Sequence, residues 1–175
     1  APAGSRLNVF DRFEPRRTAL LVIDMQNFYV GEIASVVGII PNINRIAADV
    51  RAKGGRVIWV GMSAGKGGQS DWPIYHDHFF TPEKGANHRD QLSPGHPGHA
   101  FHKGLDVKSG DDIVYKNRFS PFIAGASNID DVLKQYGIDG SYMHMPVPPE
   151  DLPAALGKLA AEGFAGVNLT VPHKE

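Results

Sequence analysis

The chain has 175 residues, a formal net charge of −1 and no cysteine, and its length suits one domain with a sizeable core. The near-neutral charge and the scattered Lys and Arg argue against a nucleic-acid interface, and the absence of cysteine excludes disulfides, thiolate catalysis and thiolate zinc sites within this chain. No apolar run approaches the roughly 20 residues of a membrane span and no signal-peptide pattern opens the chain, so we expect a cytoplasmic protein that acts on a small molecule, not on nucleic acid or membrane.

The first half of the sequence predicts a parallel strand, helix and strand in succession. Residues 1–17 are polar and proline-containing, and we expect them to form an N-terminal arm. The apolar run 18–24 predicts a central strand that is buried on both faces. A helix is predicted over 41–53, with Pro41 at its first position and two glycines at its end. The run 56–60 predicts a second buried strand, and this order is typical of an α/β fold.

The second half continues this alternation after a long interruption. Residues 63–110 are rich in Gly, Pro and His, and we expect a loop that serves as a lid or an oligomer contact. The elements predicted after it are a third strand, a helix, a fourth strand, a crossover helix and a fifth strand, over residues 111–116, 128–137, 141–147, 150–161 and 165–171. We therefore predict a single three-layer, Rossmann-like α/β domain over residues 1–175, with a mainly parallel sheet of about five strands.

Two residues with opposite charges end the first and third predicted strands. Asp24 and Lys116 should meet, because ligands and functional groups of parallel sheets gather beyond the carboxyl ends of the strands. A lysine charge beside a carboxylate suits general-base chemistry. A structural ion pair explains the same two residues equally well. Both interpretations stay open at this stage.

The long loop also carries histidines and aromatic residues. The histidines are His76 and His78, which flank Asp77, followed by His88, His96, His99 and His102. Imidazole and carboxylate groups suit zinc or iron, but a loop rich in Gly and Pro often carries solvated histidines. We predict no metal site and no cofactor. Trp72, Phe79 and Phe80 could floor a ligand pocket or fill a subunit contact.

Two motifs in the first part resemble a known family. They are Leu21-Val-Ile-Asp-Met-Gln26 and Tyr115-Lys-Asn-Arg-Phe-Ser-Pro-Phe122, and over about residues 17–139 the chain resembles the isochorismatase-like cysteine hydrolases. The resemblance implies a site of Asp, Lys and Cys that acts on amide, ureide or isochorismate-type small molecules. Asp24 would be the base that activates the nucleophile. Lys116 would orient Asp24 or stabilise the negative charge that develops during the reaction.

The resemblance fails where the nucleophile should be. After the helix predicted over 128–137 the chain runs Gly140-Ser-Tyr-Met-His-Met-Pro-Val-Pro-Pro-Glu-Asp151, and none of these residues replaces a thiolate in a straightforward way. Standard thioester chemistry is therefore excluded, and we expect an impaired or inactive hydrolase scaffold. The candidate substrate-binding residues of this part are Trp72, Arg118 and Phe122. Because members of the family are commonly oligomeric, the resemblance also implies a homo-oligomer.

The last part resembles a different family. The segment Gly163-Phe-Ala-Gly-Val-Asn-Leu-Thr-Val-Pro-His-Lys-Glu175 is similar to the substrate-binding domain of shikimate dehydrogenases, and the likeness extends over about residues 136–175. It implies that Asn168 and Thr170 bind ligand hydroxyls and that Lys174 takes part in proton transfer. A solvated lysine is the other interpretation of Lys174. No Gly-x-Gly-x-x-Gly follows a strand, so we do not expect dehydrogenase activity.

The two resemblances meet near Gly140, between an isochorismatase-like part over 18–139 and a shikimate-dehydrogenase-like part over 140–175. A junction there exchanges one parallel unit for another and preserves the hydrophobic pattern. A natural fusion, a frameshift and an engineered chimera all fit. The alternative function is then a non-catalytic or chimeric ligand-binding module with a shikimate-type strand.

Overall fold

The computed structural model describes residues 14–31, 33–65, 71–138, 140–143, 145–159, 161–164, 166–167 and 169. The chain divides into two compact units. One unit comprises residues 14–143 and contains the sheet, while the other combines residues 1–13 with residues 144–175. The single domain expected over the whole chain stays a prediction.

Three parallel strands form the sheet in the order β1-β2-β3. Their bounds are Ala19–Ile23 for β1, Arg56–Met62 for β2 and Asp112–Lys116 for β3. The register pairs Ile23 with Val60 and Met62 with Lys116. Every residue of β2 after Arg56 is buried, as expected of a strand that is covered on both faces. The expectation that β1 is central is wrong for this sheet, because β1 lies at its edge and Ile23 is 44% exposed.

Two apolar cores lie on opposite faces of the sheet. The helical elements of the unit are a 3-10 turn, α1, α2, a π-helix, α3 and α4, over Pro15–Arg17, Asn27–Val30, Ala34–Ala52, Ile74–Phe79, Pro82–Gln91 and Ile129–Gln135. Val57 and Trp59 pack with residues of α2, whereas Ile58 and Val60 pack with residues of α4. Successive side chains of a strand point to opposite faces, so helices cover β2 on both sides and the arrangement is α/β.

α2 begins seven residues earlier than the sequence predicts. It starts at Ala34, so Pro41 lies inside the helix and not at its first position. A proline in a helix interior removes one backbone hydrogen bond. The apolar face that includes Val36, Ile40 and Ala47 packs into the first core and offsets this loss.

The segment 63–110 contains regular structure that the sequence analysis missed. The π-helix and α3 both lie within it. The hydroxyl of Thr81 accepts a hydrogen bond from the backbone N–H of Lys84, and Pro82 takes a first-turn position of α3. A threonine followed by proline and an acidic residue is a helix-start signal. The many glycines and histidines around it obscured that signal.

The sheet of the described chain has three strands, so the expectation of about five strands is wrong. The described residues of the segment 141–147 form no strand, and neither do those of 165–171; the other residues of both segments lie outside the described chain. Pro146 has no N–H for a strand ladder, which disfavours pairing in the first segment.

The helix predicted over 150–161 is present in the second unit. A 3-10 turn over Pro149–Asp151 leads into α5, which spans Leu152–Leu159. Leu159 is its buried residue. No helix in the described ranges combines the length and the apolar character that a membrane span needs.

Candidate functional site

An acid and a lysine meet at the carboxyl edge of the sheet. Asp24 directly follows β1 and Lys116 ends β3, so the parallel strands bring both to the same edge. Lys116 Nζ donates to Asp24 Oδ2 at 3.0 Å and to the carbonyl of Phe119 at 3.1 Å. The lysine side chain is 3% exposed and the aspartate side chain 36%. The structure therefore brings the two residues together, while their catalytic role stays a prediction.

Asp24 is held in a costly conformation. It is the one non-glycine residue in the described chain with a positive φ, at 60°, and its N–H donates to the carbonyl of Val60 at 2.8 Å. Its Oδ1 is buried and has no hydrogen-bond partner among the described residues. The backbone conformation costs about 1–2 kcal/mol, and a buried polar atom without a partner about 1–3 kcal/mol. Costs of this kind collect at functional sites.

Gln26 ties the strand ends of the site together. It is fully buried. Its Nε2 donates to the carbonyls of Met62 at 2.8 Å and His99 at 2.7 Å, and its Oε1 accepts from the N–H of Met62 at 2.6 Å. Gln26 therefore fixes the chain after β1 against the end of β2. Gln26 belongs to the first of the two hydrolase-like motifs, but the sequence alone predicts no role for it; an amide two residues after a strand-end aspartate was the available signal.

Trp72 and Arg118, both predicted to bind substrate, lie side by side. The guanidinium of Arg118 is 5.0 Å from the ring of Trp72. Trp72 also stacks on Tyr75 at 4.4 Å and meets the edge of Phe119 at 4.8 Å. We call the rings of Trp72, Tyr75 and Phe119 the aromatic wall. Because the carbonyl of Phe119 accepts a hydrogen bond from Lys116, the aromatic wall is connected to the acid and lysine pair.

A cavity of about 260 Å³ opens next to Arg118. Its lining comprises Asp71, Asn117, Arg118 and residues 123–126. One guanidinium nitrogen of Arg118 donates to the carbonyl of Asn117 at 2.7 Å, which fixes that edge of the side chain. The cavity therefore combines a cation, a neighbouring carboxyl residue and backbone in a small volume.

Of the other predicted substrate-binding residues, the structure describes only Phe122, which lies elsewhere. Phe122 stacks on Tyr142 at 4.7 Å and packs against the second core. Asn168, Thr170 and Lys174 lie outside the described residues. Their roles stay predictions.

Two buried histidines and a tyrosine are joined by hydrogen bonds next to the aromatic wall. His76 Nε2 is 3.0 Å from His88 Nδ1, and His88 Nε2 is 3.3 Å from the Tyr29 hydroxyl. Burial lowers the pKa of His88 to about 4, and the positive fields of His76 and Lys116 act in the same direction. Burial also lowers the pKa of His76. Both rings are therefore neutral at pH 7.

The negative charge of Asp24 also affects the pKa of two nearby tyrosines. Burial raises the pKa of Tyr29 and of Tyr75, and the negative charge of Asp24 adds to the rise at both. Both phenols stay protonated at neutral pH and can act as hydrogen-bond donors. In the part of the chain that the structure describes, no three His, Asp or Glu side chains are grouped so that they could hold a metal ion.

The site has an acid and a cation but no thiol. The 175 residues include no cysteine, and the segment in which the resemblance implies the nucleophile contains Pro148 and the 3-10 turn Pro149–Asp151. What the described arrangement offers is the carboxylate of Asp24, which is 36% exposed beside a fixed ammonium group and can accept a hydrogen bond or a proton.

Solved structures with the same fold include two hydrolases. A cysteine hydrolase from Pseudomonas syringae pv. phaseolicola superposes with a TM-score of 0.62 at 23% sequence identity, covering 77% of this chain and 61% of that one. The N-carbamoylsarcosine amidase from Thermoplasma acidophilum gives a TM-score of 0.52 at 20% identity, over 70% of this chain and 64% of the amidase. At these identities the likeness establishes the fold.

The end of the chain matches other proteins. Residues 116–175 match the family of the shikimate dehydrogenase substrate binding domain. The NADP(+) shikimate dehydrogenase of Brucella ovis is 58% identical over 43 residues, which are 25% of this chain and 15% of the dehydrogenase. The chain thus spans about one seventh of the length of the curated relatives that it matches.

The larger family match covers the sheet and the acid and lysine pair. Residues 18–142 match the isochorismatase domain family, a range that contains Asp24, Lys116 and all three strands. Since that match extends over well more than half of the chain and agrees with the fold of the solved hydrolases, the chain belongs to the isochorismatase family, with a shikimate-dehydrogenase-type segment at its end.

Proposed function

We propose that this chain is an isochorismatase-type hydrolase scaffold that binds a small carbonyl compound at Asp24 and Lys116 without forming a thioester. The observation that carries the proposal is the carboxylate of Asp24, whose Oδ2 is held by Lys116 at 3.0 Å while its buried Oδ1 has no partner in the described chain. The side chain of Asp24 is 36% exposed, so a ligand can reach the carboxylate and donate an amide N–H or a hydroxyl to it.

The surroundings of the pair support a planar ligand. Phe119, whose carbonyl accepts from Lys116, is 66% exposed, and aromatic side chains stack on flat amides and rings. Arg118 adds a positive charge next to a cavity of about 260 Å³. Amides, ureides and isochorismate-type acids, the substrate classes of the resemblance, share a flat carbonyl group and a hydrogen-bond donor.

The chemistry of the pair limits what can follow binding. A cysteine thioester requires a thiolate, which this chain does not contain. Hydrolysis would need a water molecule as nucleophile, with Asp24 as its general base. A water molecule is a weaker nucleophile than a thiolate, so we expect binding without appreciable turnover.

The assay that tests this proposal measures product release from nicotinamide, N-carbamoylsarcosine and isochorismate by the purified chain, with Asp24→Asn as control. The amide that this substitution introduces keeps the shape of the side chain but cannot take a proton at neutral pH. We expect equal, background release from both proteins. Release by the wild type that disappears in Asp24→Asn would show that water has replaced the thiolate and would overturn the non-hydrolytic part of the proposal.

A second candidate function rests on the 43-residue likeness to shikimate dehydrogenases, at 58% identity. We propose that residues 140–175 bind a polyhydroxylated acid, with Asn168, Thr170 and Lys174 as the polar contacts. Calorimetric titration of the full chain with shikimate tests this directly. Heat that is lost in Lys174→Ala supports the proposal, whereas absent or equal heats in both proteins remove it.

The homo-oligomer implied by the family is also a proposal. Ile113 and Tyr115 of β3 are 49% and 38% exposed, which leaves apolar surface on an outer strand for a second copy to cover. Light scattering on the purified chain should give a mass above 19.0 kDa; a monomer at all concentrations contradicts the proposal.

A further inference from the structure

We propose that Tyr29, His76 and His88 form a pH-sensitive clasp that fastens α1 to the segment 72–91, closed when both imidazoles are neutral and opened by protonation. The clasp holds the aromatic wall against the acid and lysine pair. It is a property of the folded chain and does not depend on whether a ligand binds.

Three hydrogen bonds in series make up the clasp. His76 Nδ1 is 3.0 Å from the carbonyl of Trp72, His76 Nε2 is 3.0 Å from His88 Nδ1, and His88 Nε2 is 3.3 Å from the Tyr29 hydroxyl. A carbonyl can only accept, so His76 Nδ1 carries a hydrogen and its Nε2 is an acceptor in the neutral ring. His88 therefore donates through Nδ1 and accepts from Tyr29 through Nε2. With two neutral rings, every donor in the series meets an acceptor.

A proton can enter this series only by changing it. One proton reverses the bonds, so that His76 Nε2 donates to His88 Nδ1 and His88 Nε2 donates to the hydroxyl oxygen of Tyr29. A second proton sets the N–H groups of the two rings against each other and breaks the bond between them. Either charge would also be created in a dry place, because His76 is 1% exposed and His88 5%.

The charged groups around the two imidazole rings also favour their neutral forms. Lys116 of β3 faces His88 and disfavours a second positive charge, while the neighbouring phenols of Tyr29 and Tyr75 are neutral. At His76 the positive charge of Arg89 acts in the same direction. The two carboxylates that act in the opposite direction, Asp71 and Asp77, are both paired with Arg89.

The residues of the segment 72–91 are packed so closely that we expect them to move together. Gly85 of α3 lies so close to the carbonyl of His76 that a Cβ there would overlap it. The rings of Phe28, Tyr75 and Phe80 surround His88 at centroid distances of 5.2, 5.4 and 5.6 Å. Release of His88 therefore loosens the contact of α1 with α3 and with the Trp72 and Tyr75 stack.

The pH range follows from the two states of His88. Its pKa is about 4 in the closed clasp and about 6.5 once it is exposed to water. A group whose folded pKa is lowered contributes stability above the unfolded pKa and loses it as the pH falls through the folded value. The closed-to-open ratio should thus fall by about 80-fold between pH 6.5 and pH 4, and by about 300-fold in all once the pH is well below 4, since about 2.5 pH units correspond to that limiting factor.

Near-ultraviolet circular dichroism of the full chain tests the clasp, because the Trp72 and Tyr75 stack lies at its end. We expect the wild-type signal to change between pH 6.5 and pH 4 while the far-ultraviolet signal of the helices and strands is retained. His88→Gln keeps one acceptor and one donor but takes up no proton, so its change should move to lower pH. A His88→Gln titration that coincides with wild type, or no wild-type change down to pH 4, overturns the proposal.

Two controls separate the clasp from general acid denaturation. His78→Gln alters an exposed histidine of the same π-helix and should titrate as wild type does. Trp72→Phe should remove the pH-dependent signal without removing that of the buried Trp59. A wild-type change that appears only together with loss of the far-ultraviolet signal would assign the effect to unfolding and overturn the clasp.

Discussion

Two ion pairs lie at opposite ends of β3, and they are built differently. At the amino end, Asp111 receives Arg51 Nε and Nη2 at 2.8 and 2.6 Å, the indole N–H of Trp59 at 2.8 Å and the N–H of Lys108 at 2.9 Å. At the carboxyl end, Asp24 receives Lys116 at 3.0 Å on one oxygen and nothing from the described chain on the other.

The difference is between a carboxylate whose two oxygens are both paired and one with an oxygen that is unpaired in the described part of the chain. Asp111 is 3% exposed and has both oxygens occupied, which is how buried carboxylates are normally accommodated. Asp24 combines an open oxygen with a strained backbone. A purely structural ion pair has no reason to keep these two costs, so the contrast favours the functional interpretation of Asp24 and Lys116.

The largest expected effect is at the amino end. Asp111→Ala removes the buried acceptor of Trp59 and of the N–H of Lys108 and two of the bonds of Arg51, which keeps its bond to the carbonyl of Asp106. We expect a loss of about 3 kcal/mol in the free energy of unfolding. Urea unfolding measures this. The matched control is Asp106→Ala, since Asp106 is 40% exposed beside the same arginine, and exposed pairs contribute about 1 kcal/mol or less. Equal losses in the two variants would break the comparison.

The next largest loss of stability is expected for replacement of Gln26, which lies beside Asp24 at the carboxyl edge of the sheet. Gln26→Leu removes three buried hydrogen bonds to Met62 and His99, and the net contribution of one such bond to stability is about 0.5–1.5 kcal/mol. We expect a total loss of about 2–4 kcal/mol in urea unfolding. Gln26→Glu keeps the acceptor for the N–H of Met62 but turns a carboxylate oxygen onto the carbonyls of Met62 and His99, so it should lose at least as much stability as Gln26→Leu. A Glu variant as stable as wild type would mean that the bonds donated by Gln26 are not what holds this edge.

Lys116→Met should change stability far less, by about 1 kcal/mol or less. The partner that it leaves behind, Asp24, is 36% exposed and can be solvated, so the large penalty for a buried charge without a partner does not apply. The same urea titration measures the change. A loss as large as that of Asp111→Ala would mean that the carboxyl-edge pair is structural after all.

The smallest effect is the pH dependence of the amino-end pair. Burial raises the pKa of Asp111, but its bonds from Arg51, Lys108 and Trp59 outweigh burial and lower it below the usual value. The contribution of ionised Asp111 to folding stability is therefore complete above the pKa of the unfolded state, about 3.9. It is lost as the pH falls through the lower pKa of the folded state. The stability difference between wild type and Asp111→Asn should shrink below about pH 4. A difference that stays constant down to about pH 2 contradicts this assignment.

The sequence was most informative where one local signal determines the structure. The apolar runs predict β1, β2 and β3 to within two residues at each end, and the strand-end positions of Asp24 and Lys116 predict their meeting. The direction of parallel strands is enough for that prediction, because their carboxyl ends share an edge.

Other features depend on contacts that periodicity does not reveal. The edge position of β1 depends on which strands pair, and the fourth and fifth predicted strands are apolar segments without a ladder in the described chain. The open oxygen of Asp24, the three bonds of Gln26 and the pairing of His76 with His88 arise from residues that are distant in sequence. No local pattern encodes them.

The most direct test of the account is calorimetric titration of wild type and Asp24→Asn with nicotinamide, N-carbamoylsarcosine and isochorismate, with Asp106→Asn as a folded control. The account predicts that at least one compound binds to wild type and to the control, and that its affinity falls at least tenfold in Asp24→Asn. Equal affinity in all three proteins, or no binding by any of them, would contradict the claim that the open carboxylate of Asp24 is the ligand-binding group.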